Sequence, residues 1–306
     1  MPKKLRYRPT LIDRLITNER INSYQKVFRP TNDIELMGAY LWNTHVSGTF
    51  YPIISLVEIT LRNAIDQTLQ VHLGKFWWKP SLLRYRSFKP HTAPPRTVQN
   101  LRDNFQRATE KFIKARRYRY NIPRHIVPDH NGVVAQTEFS TWENILDDEF
   151  MGDNLIWPSQ LGTVFAGTWP NTHAGTVLTY IRDLVTTVRE FRNRLFHHEP
   201  VWKKFGVNTE NDALLYLREK IEKIEKLVAL IHPENLKLLE RNGLFDTVRR
   251  ACTSQEILRF QYLAVTHEIN SMEKLRTLVE LCGAKNITLT AKLDIEHRHL
   301  FLIIPR

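Results

Sequence analysis

Apolar residues recur along this chain at three- and four-residue spacing over most of its length, the period of a helix with one buried face. Residues 10–24 form a first short amphipathic segment, with Leu11, Leu15 and Ile21 on one side. Residues 33–47 form a second, carrying Ile34, Leu36, Met37, Tyr40 and Leu41. The third segment is the most hydrophobic. Phe50, Ile53, Ile54, Val57, Leu61, Ile65 and Leu69 predict a helix from about Tyr51 to His72, stopped near Gly74 as a C′ residue. Phe76, Trp77 and Trp78 follow directly and are expected to pack back onto the helix ends.

Residues 80–98 carry Pro80, Pro90, Pro94 and Pro95 among basic residues and read as a loop. Residues 97–120 read as a strongly basic helix, and residues 121–137, with Pro123, Pro128 and Asn131-Gly132, as a second loop. Helices are expected over 138–150, 155–166 and 173–198. In the last, Val177, Ile181, Leu184, Val188, Phe191 and Leu195 form the core stripe. Residues 211–232 make another helix, ended by Pro233. Up to that point no strand pattern emerges. In the tail, 234–282 suggest three short helices, the run Ile287–Ile295 alternates apolar and polar residues, and His299–Ile304 is β-prone, so a C-terminal hairpin is expected. The fold class is therefore mainly α, a helical domain over 1–233 with a small α+β extension over 234–306.

The length of 306 residues, 42% hydrophobic content and 25% charge describe an ordinary globular chain and exclude wholesale disorder. With 44 Lys+Arg against 32 Asp+Glu the net charge is +12, which suits a polyanion: nucleic acid first, an acidic membrane surface second. The N-terminus has charge but no apolar stretch after it, so no secretory signal is expected. No run approaches the length of a membrane span. The longest candidate, Tyr51–Leu61, contains Glu58 and then meets Arg62. Cys252 and Cys282 are read as reduced core thiols of a cytoplasmic protein.

The chemistry concentrates in Phe191-Arg-Asn-Arg-Leu-Phe-His-His-Glu-Pro-Val-Trp202. Arg192, Asn193, His197, His198 and Glu199 fall within two helical turns of one another, just before a proline. Histidine moves protons near neutral pH, and arginine's planar fork fits two phosphate oxygens. Together they can cut RNA without a metal. On a continuous helix Arg192 and His197 are about 140° apart. They can converge if the helix frays or tightens before Pro200, where the preceding residue is pushed out of the α region. Glu199 is placed to orient an imidazole. The structural alternative is that His197 and His198 cap helix carbonyls and Arg192 is solvated.

Arg192-Asn193-x-x-x-His197 resembles the arginine-to-histidine signature of HEPN domains. The wider stretch Ile181–Val201 is similar to the Abi-like (abortive infection) branch of that superfamily. So is Ser55-Leu-Val-Glu58-Ile-Thr-Leu-Arg62-Asn63-Ala-Ile65, followed by Phe76-Trp77-Trp78. The resemblance covers about residues 10–232. It implies a HEPN-type helical bundle and a metal-independent endoribonuclease of phage defence or a toxin–antitoxin system, with catalytic Arg192, Asn193, His197, His198 and Glu58. It also implies a homodimer whose two motifs face one cleft, and no cofactor. The alternative is a HEPN-like module that binds RNA or a partner protein without cleaving.

Glu58 and Arg62, one turn apart on an apolar helix, are either an exposed pair or a polar insertion into a core. The apolar surroundings favour the second, with Glu58 contacting Arg192 or its neighbourhood. In the basic helix Arg102, Arg107, Lys111, Lys114, Arg116, Arg117 and Arg119 interleave with Tyr118 and Tyr120. Such a stretch is either a solvated face or an RNA-binding surface. Lys111, Lys114, Arg116, Arg117 and Arg119, with Arg62, are the RNA-contact candidates. An acidic antitoxin-like partner is the other polyanion those residues suit. The seven tryptophans read as core or interface residues. His125, His130, His297 and His299 have no companion acids at metal-ligand spacing, and His297-Arg-His299 is a weak zinc signal, so no metal is expected.

Overall fold

The computed structural model describes residues 11–120, 126–294 and 298–305, except the side chains of residues 11, 119, 120, 294 and 298. Residues Leu11–Thr17 make a π-helical turn, ended by a positive φ of 77° at Thr17. The helices then run α1 (Asn18–Phe28), α2 (Asp33–Leu73), α3 (Arg96–Tyr120), α4 (His130–Val134), α5 (Phe139–Asn144), α6 (Leu161–Val164), α7 (Ala174–Phe196) and α8 (Glu210–Ile231). The tail holds α9 (Pro233–Arg241), α10 (Leu244–Ala251), α11 (Ser254–Phe260), β1 (Thr266–Ile269), α12 (Met272–Lys285), β2 (Leu289–Asp294) and β3 (Arg298–Ile303). The chain is mainly α with a small sheet near its end, as the periodicity predicts.

The largest departure is α2. Two helices expected over 33–47 and 51–72 are one helix of 41 residues with Pro52 inside it. A proline in a helix interior costs about 3 kcal/mol, because it lacks an N–H and crowds the carbonyl one turn back. The buried stripe runs unbroken past it: Ala39, Trp42, Val46, Phe50, Ile53, Val57, Leu61, Ile65 and Leu69. Each large apolar side chain buried there contributes about 1.5–3 kcal/mol, so the four or five nearest Pro52 outweigh its penalty. Pro52 itself is exposed. Elsewhere the expected helices over 138–150 and 155–166 shrink to α5 and α6, because each segment turns back after one or two turns. The expected loop over 121–137 contains α4, started by Asp129, whose carboxylate accepts the Gly132 N–H at 2.8 Å.

By contacts the chain divides into two units. One comprises residues 1–53, 191–222 and 238–306, and the other 54–190 and 223–237. In the second, Trp78 stacks on Phe105 at 4.1 Å and Trp77 meets Phe105 edge-on. Buried Asp66 accepts the Trp77 indole N–H at 2.8 Å and lies 3.2 Å from His130 Nε2. His130 Nδ1 accepts the Phe76 N–H, which fixes its other nitrogen as the donor toward Asp66. The Phe76-Trp77-Trp78 run is thus pinned in a core. Gly167 is required because a Cβ there would stand 2.1 Å from the Ala229 carbonyl oxygen.

The first unit joins the amino-terminal helices to the tail. Trp42 donates to the Ala251 carbonyl at 2.9 Å, and the Gln261 amide donates to the Glu35 carbonyl at 3.3 Å. Gly38 lies directly under the α11 backbone, where a Cβ would be 2.5 Å from the Phe260 carbonyl oxygen. The tail's hairpin forms as expected, with β2 antiparallel to β3. The alternation missed β1, which pairs parallel to β2 and is too short to show a period. The helix α12 closes this sheet over Ile269, Leu278, Cys282, Leu289 and Ala291. Cys252 and Cys282 are both buried and unbridged. Among the described residues no helix is long and apolar enough to cross a membrane.

Buried Glu256 of α11 accepts Arg259 Nε at 3.0 Å and faces His45 Nε2 of α2 at 3.3 Å. Burial alone would raise its carboxyl, but hydrogen bonds and charge from His45 and Arg259 outweigh that and hold it down to about 2. A carboxylate depressed from an ordinary 4.5 stabilises the fold above that pH and loses its contribution as pH falls toward 2. Glu256→Gln should therefore lower stability at about pH 7 and shrink the stability lost between about pH 5 and pH 3. Urea unfolding of both proteins at the two pH values checks this; identical acid losses would contradict it.

Candidate functional site at the end of helix α7

Helix α7 buries Val177, Ile181, Leu184, Val188, Phe191 and Leu195, the full stripe expected of it. Phe191 meets Phe50 of α2 at 4.7 Å, edge to face. The helix thus reaches its last turn on a fixed bearing, with Arg192 and Asn193 half-buried and His197, His198 and Glu199 exposed.

The turn that ends the helix has a defined form. The His198 N–H donates to the Leu195 carbonyl at 3.2 Å, and the Glu199 N–H donates to the Arg194 carbonyl at 2.9 Å. This is a Schellman turn, with His198 in the left-handed C′ position at φ 56°. The sequence expectation placed the departure at Glu199, the residue before Pro200. The chain instead turns one residue earlier, because the turn needs its left-handed residue there to satisfy the helix's last carbonyls. His197 still donates its N–H to the Asn193 carbonyl at 2.9 Å, so the helix does not fray before it. Asn193 and His197 are therefore one turn apart on one face, while Arg192 lies about 100° around.

Arg192 lays its guanidinium over the Phe196 ring at 4.3 Å and donates from Nη1 to Asn193 Oδ1 at 3.4 Å. Phe196 in turn meets Tyr51 at 5.6 Å. Arginine stacked in this way keeps its planar fork in a set orientation while its charge stays permanent.

The segment after the turn is sewn to the amino-terminal helices. Arg20 of α1 donates to the His198 carbonyl, and Arg194 to the Lys203 carbonyl. Buried Asn43 of α2 accepts the Val201 N–H at 2.9 Å. Losing that acceptor would leave a buried N–H unpaired, at a cost of about 1–3 kcal/mol. Trp202 is fully buried and meets Tyr24 at 5.1 Å and Phe28 at 5.0 Å, both edge-on. Arg20, Asn43 and Arg194 escaped the sequence reading. Asn43 carried a faint signal, a polar residue on the buried stripe of an apolar helix; the two arginines carried none.

The remaining candidates stand apart from this cluster in the chain. Glu58 and Arg62 are half-buried on α2, and Arg62 Nε donates to Asn63 Oδ1 at 3.3 Å. Lys114 and Arg117 of α3 are exposed, Arg116 leans over Phe112 at 5.2 Å, and Lys111 pairs with Glu138 at 2.8 Å. The side chains of Arg119 and Tyr120 lie outside the described residues, as do His125 and His297. His299 is exposed on β3, and among the described residues no three His, Cys, Asp or Glu side chains are grouped to hold a metal ion.

The family model of the Abi-like proteins matches residues 14–203, from the π-helical turn through the motif to the residue after Trp202. That span exceeds half the chain, and the chain belongs to the Abi-like family. No curated protein and no solved structure gives a significant match.

A histidine in the left-handed position costs about 1 kcal/mol that a glycine would not. If the turn is all that His198 serves, His198→Gly should raise stability by roughly 0.5–1 kcal/mol, after allowing for glycine's freer unfolded state. Urea unfolding measures this. A fall in stability would show that the imidazole itself holds the turn.

Proposed function

We propose that this Abi-like chain is a metal-independent endoribonuclease acting in abortive infection or a toxin–antitoxin system, with its chemistry at the end of α7. One observation carries the reading. A stacked arginine, its neighbouring asparagine and two exposed histidines occupy one helix end, and the chain beyond is fastened by buried contacts. Family membership supports the association with abortive infection.

In this reaction the substrate's own 2′-hydroxyl attacks the adjacent phosphorus and the P–O5′ bond breaks. The products are a 2′,3′-cyclic phosphate and a 5′-hydroxyl. His197 moves the proton, a role worth about 10²–10⁴-fold. Arg192 stabilises the charge that builds on the pentacoordinate phosphate, and Asn193 sets the arginine. His198 contacts phosphate from its fixed turn. The family resemblance of its helix adds Glu58 as a further candidate catalytic carboxylate. The HEPN resemblance implies that one Arg–His pair is half a site, which a homodimer would complete. Lys111, Lys114, Arg116, Arg117 and Arg119 of α3, with Arg62, would hold the rest of the RNA by its phosphates.

Arg192→Ala and His197→Ala should each abolish cleavage of total RNA in EDTA while leaving the helical circular dichroism and melting temperature near those of the parent. The parent should yield fragments ending in cyclic phosphate. RNA binding that survives in a parent protein unable to cleave would favour a binding module, and a strict need for Mg²⁺ would exclude the mechanism.

The shared site also predicts the assembly. Light scattering at micromolar concentration should give the mass of a dimer, and mixing Arg192→Ala with His197→Ala protein should restore part of the activity. An active monomer would contradict it.

A further inference from the structure

Immediately after buried Trp202 the chain reads Lys203-Lys204-Phe205-Gly206. The Val207 N–H donates to the Lys204 carbonyl at 3.1 Å, and Gly206 at the third position has φ 89°, which makes this a type II turn. Both ends are fixed. The Lys203 carbonyl accepts Arg194, and the Asn208 and Thr209 N–H groups donate to Asp212 at 3.1 and 3.0 Å. Phe205 stands at the tip with 103% relative exposure. A phenylalanine placed there buries nothing in the fold and exposes an entire aromatic face.

Beside the turn lies a pocket of about 430 Å³. One wall is a single face of α1, Glu19, Asn22, Ser23 and Lys26, at helical spacing; the other is the Trp202–Asn208 segment. Lys26, Lys203 and Lys204 line it against a single acid, Glu19, and all three lysines are exposed. Arg20, on the same helix, holds the His198 carbonyl, so this wall is tied to the motif turn.

We propose that this pocket and turn form a subsite for single-stranded RNA, with a backbone phosphate among Lys26, Lys203 and Lys204 and the adjoining base stacked on Phe205. Lysine clusters suit phosphates, and an exposed aromatic face suits an unpaired base of any identity. The pocket has room for about one nucleotide. The paired residue types distinguish RNA from an acidic peptide, which would use the lysines but not the ring. The inference rests on the ribonuclease reading for the strand's destination at the motif, but not for the binding itself.

The test uses a short single-stranded RNA carrying 2′-O-methyl groups throughout, which has no attacking hydroxyl, so binding is read separately from cleavage. Fluorescence anisotropy over a range of salt should show Lys26→Gln/Lys203→Gln/Lys204→Gln weakening affinity and lowering the log–log salt slope by about 0.7 for each phosphate no longer neutralised. Phe205→Ala should weaken binding about tenfold with the slope unchanged, the size of one base stack, and Phe205→Trp should restore it. All these side chains are exposed, and unchanged melting temperatures would confirm that the variants fold. Parental affinity and slope in the triple variant, or parental affinity in Phe205→Ala, would overturn the subsite. So would a mononucleotide that binds as tightly as the strand, or polyglutamate that competes equally well and is indifferent to Phe205. A parent that binds RNA in this pattern yet never cleaves it would leave the subsite standing and remove the nuclease reading instead.

Discussion

The architecture depends on α2 remaining one helix through Pro52. Its amino-terminal half supplies Gly38, Trp42, Asn43 and His45, to which the tail helices and the motif's flank are fastened. Its carboxy-terminal half supplies Asp66, around which Trp77 and His130 are arranged. The apolar stripe makes continuity the lower-energy choice by several kcal/mol, since four or five buried side chains oppose one missing hydrogen bond and one steric clash. A single apolar period extended past a proline is therefore what lets one element seed two cores.

The motif follows the same logic on a smaller scale. Its histidines are exposed, but the backbone around them is tied down: His198 by Arg20, Val201 by Asn43, and Lys203 by Arg194. Trp202 anchors the segment in the aromatic cluster. Exposed imidazoles on a fastened backbone differ from exposed imidazoles on a loop, because the backbone that carries them is already ordered. Arg192 gains the same advantage from the Phe196 ring beneath it. The histidine pair is not needed to cap the helix. The carbonyls of Leu195 and Arg194 are satisfied by backbone N–H groups, which leaves the rings free of that task.

The helices with long apolar stripes, α2, α3, α7 and α8, were legible because each buries one face for several turns. So was the terminal hairpin, whose alternation spans enough residues to show. What escaped was short or non-local. The elements α4 and β1 are five and four residues long, too short to show a period, and the helices expected over 138–150 and 155–166 shorten to the six and four residues of α5 and α6. The continuity of α2 was hidden because local propensity reads Pro52 as a stop, while the deciding term is tertiary burial. The motif's cluster of polar residue types at a helix end was visible in the sequence. Its frame was not, since Arg20 and Asn43 stand 178 and 158 residues from the groups they hold. The turn also falls one residue before the position that Pro200 alone would set, because the helix requires its left-handed C′ residue at His198.

Pro52, His198 and Phe205 each break a local rule, and the fold explains only the first. Pro52 in a helix is overridden by the packing around it. His198 occupies a conformation in which glycine would cost less, yet its side chain is exposed and the two hydrogen bonds that close the turn run between backbone groups. Phe205 exposes a full aromatic ring at the tip of a turn where any polar residue would serve. Packing accounts for neither, and they flank buried Trp202 on either side. Local rules that are broken without structural gain mark places where a sequence answers to something other than stability. Both lie just beyond Arg192 and Asn193, on a segment that Arg20 and Arg194 hold in place.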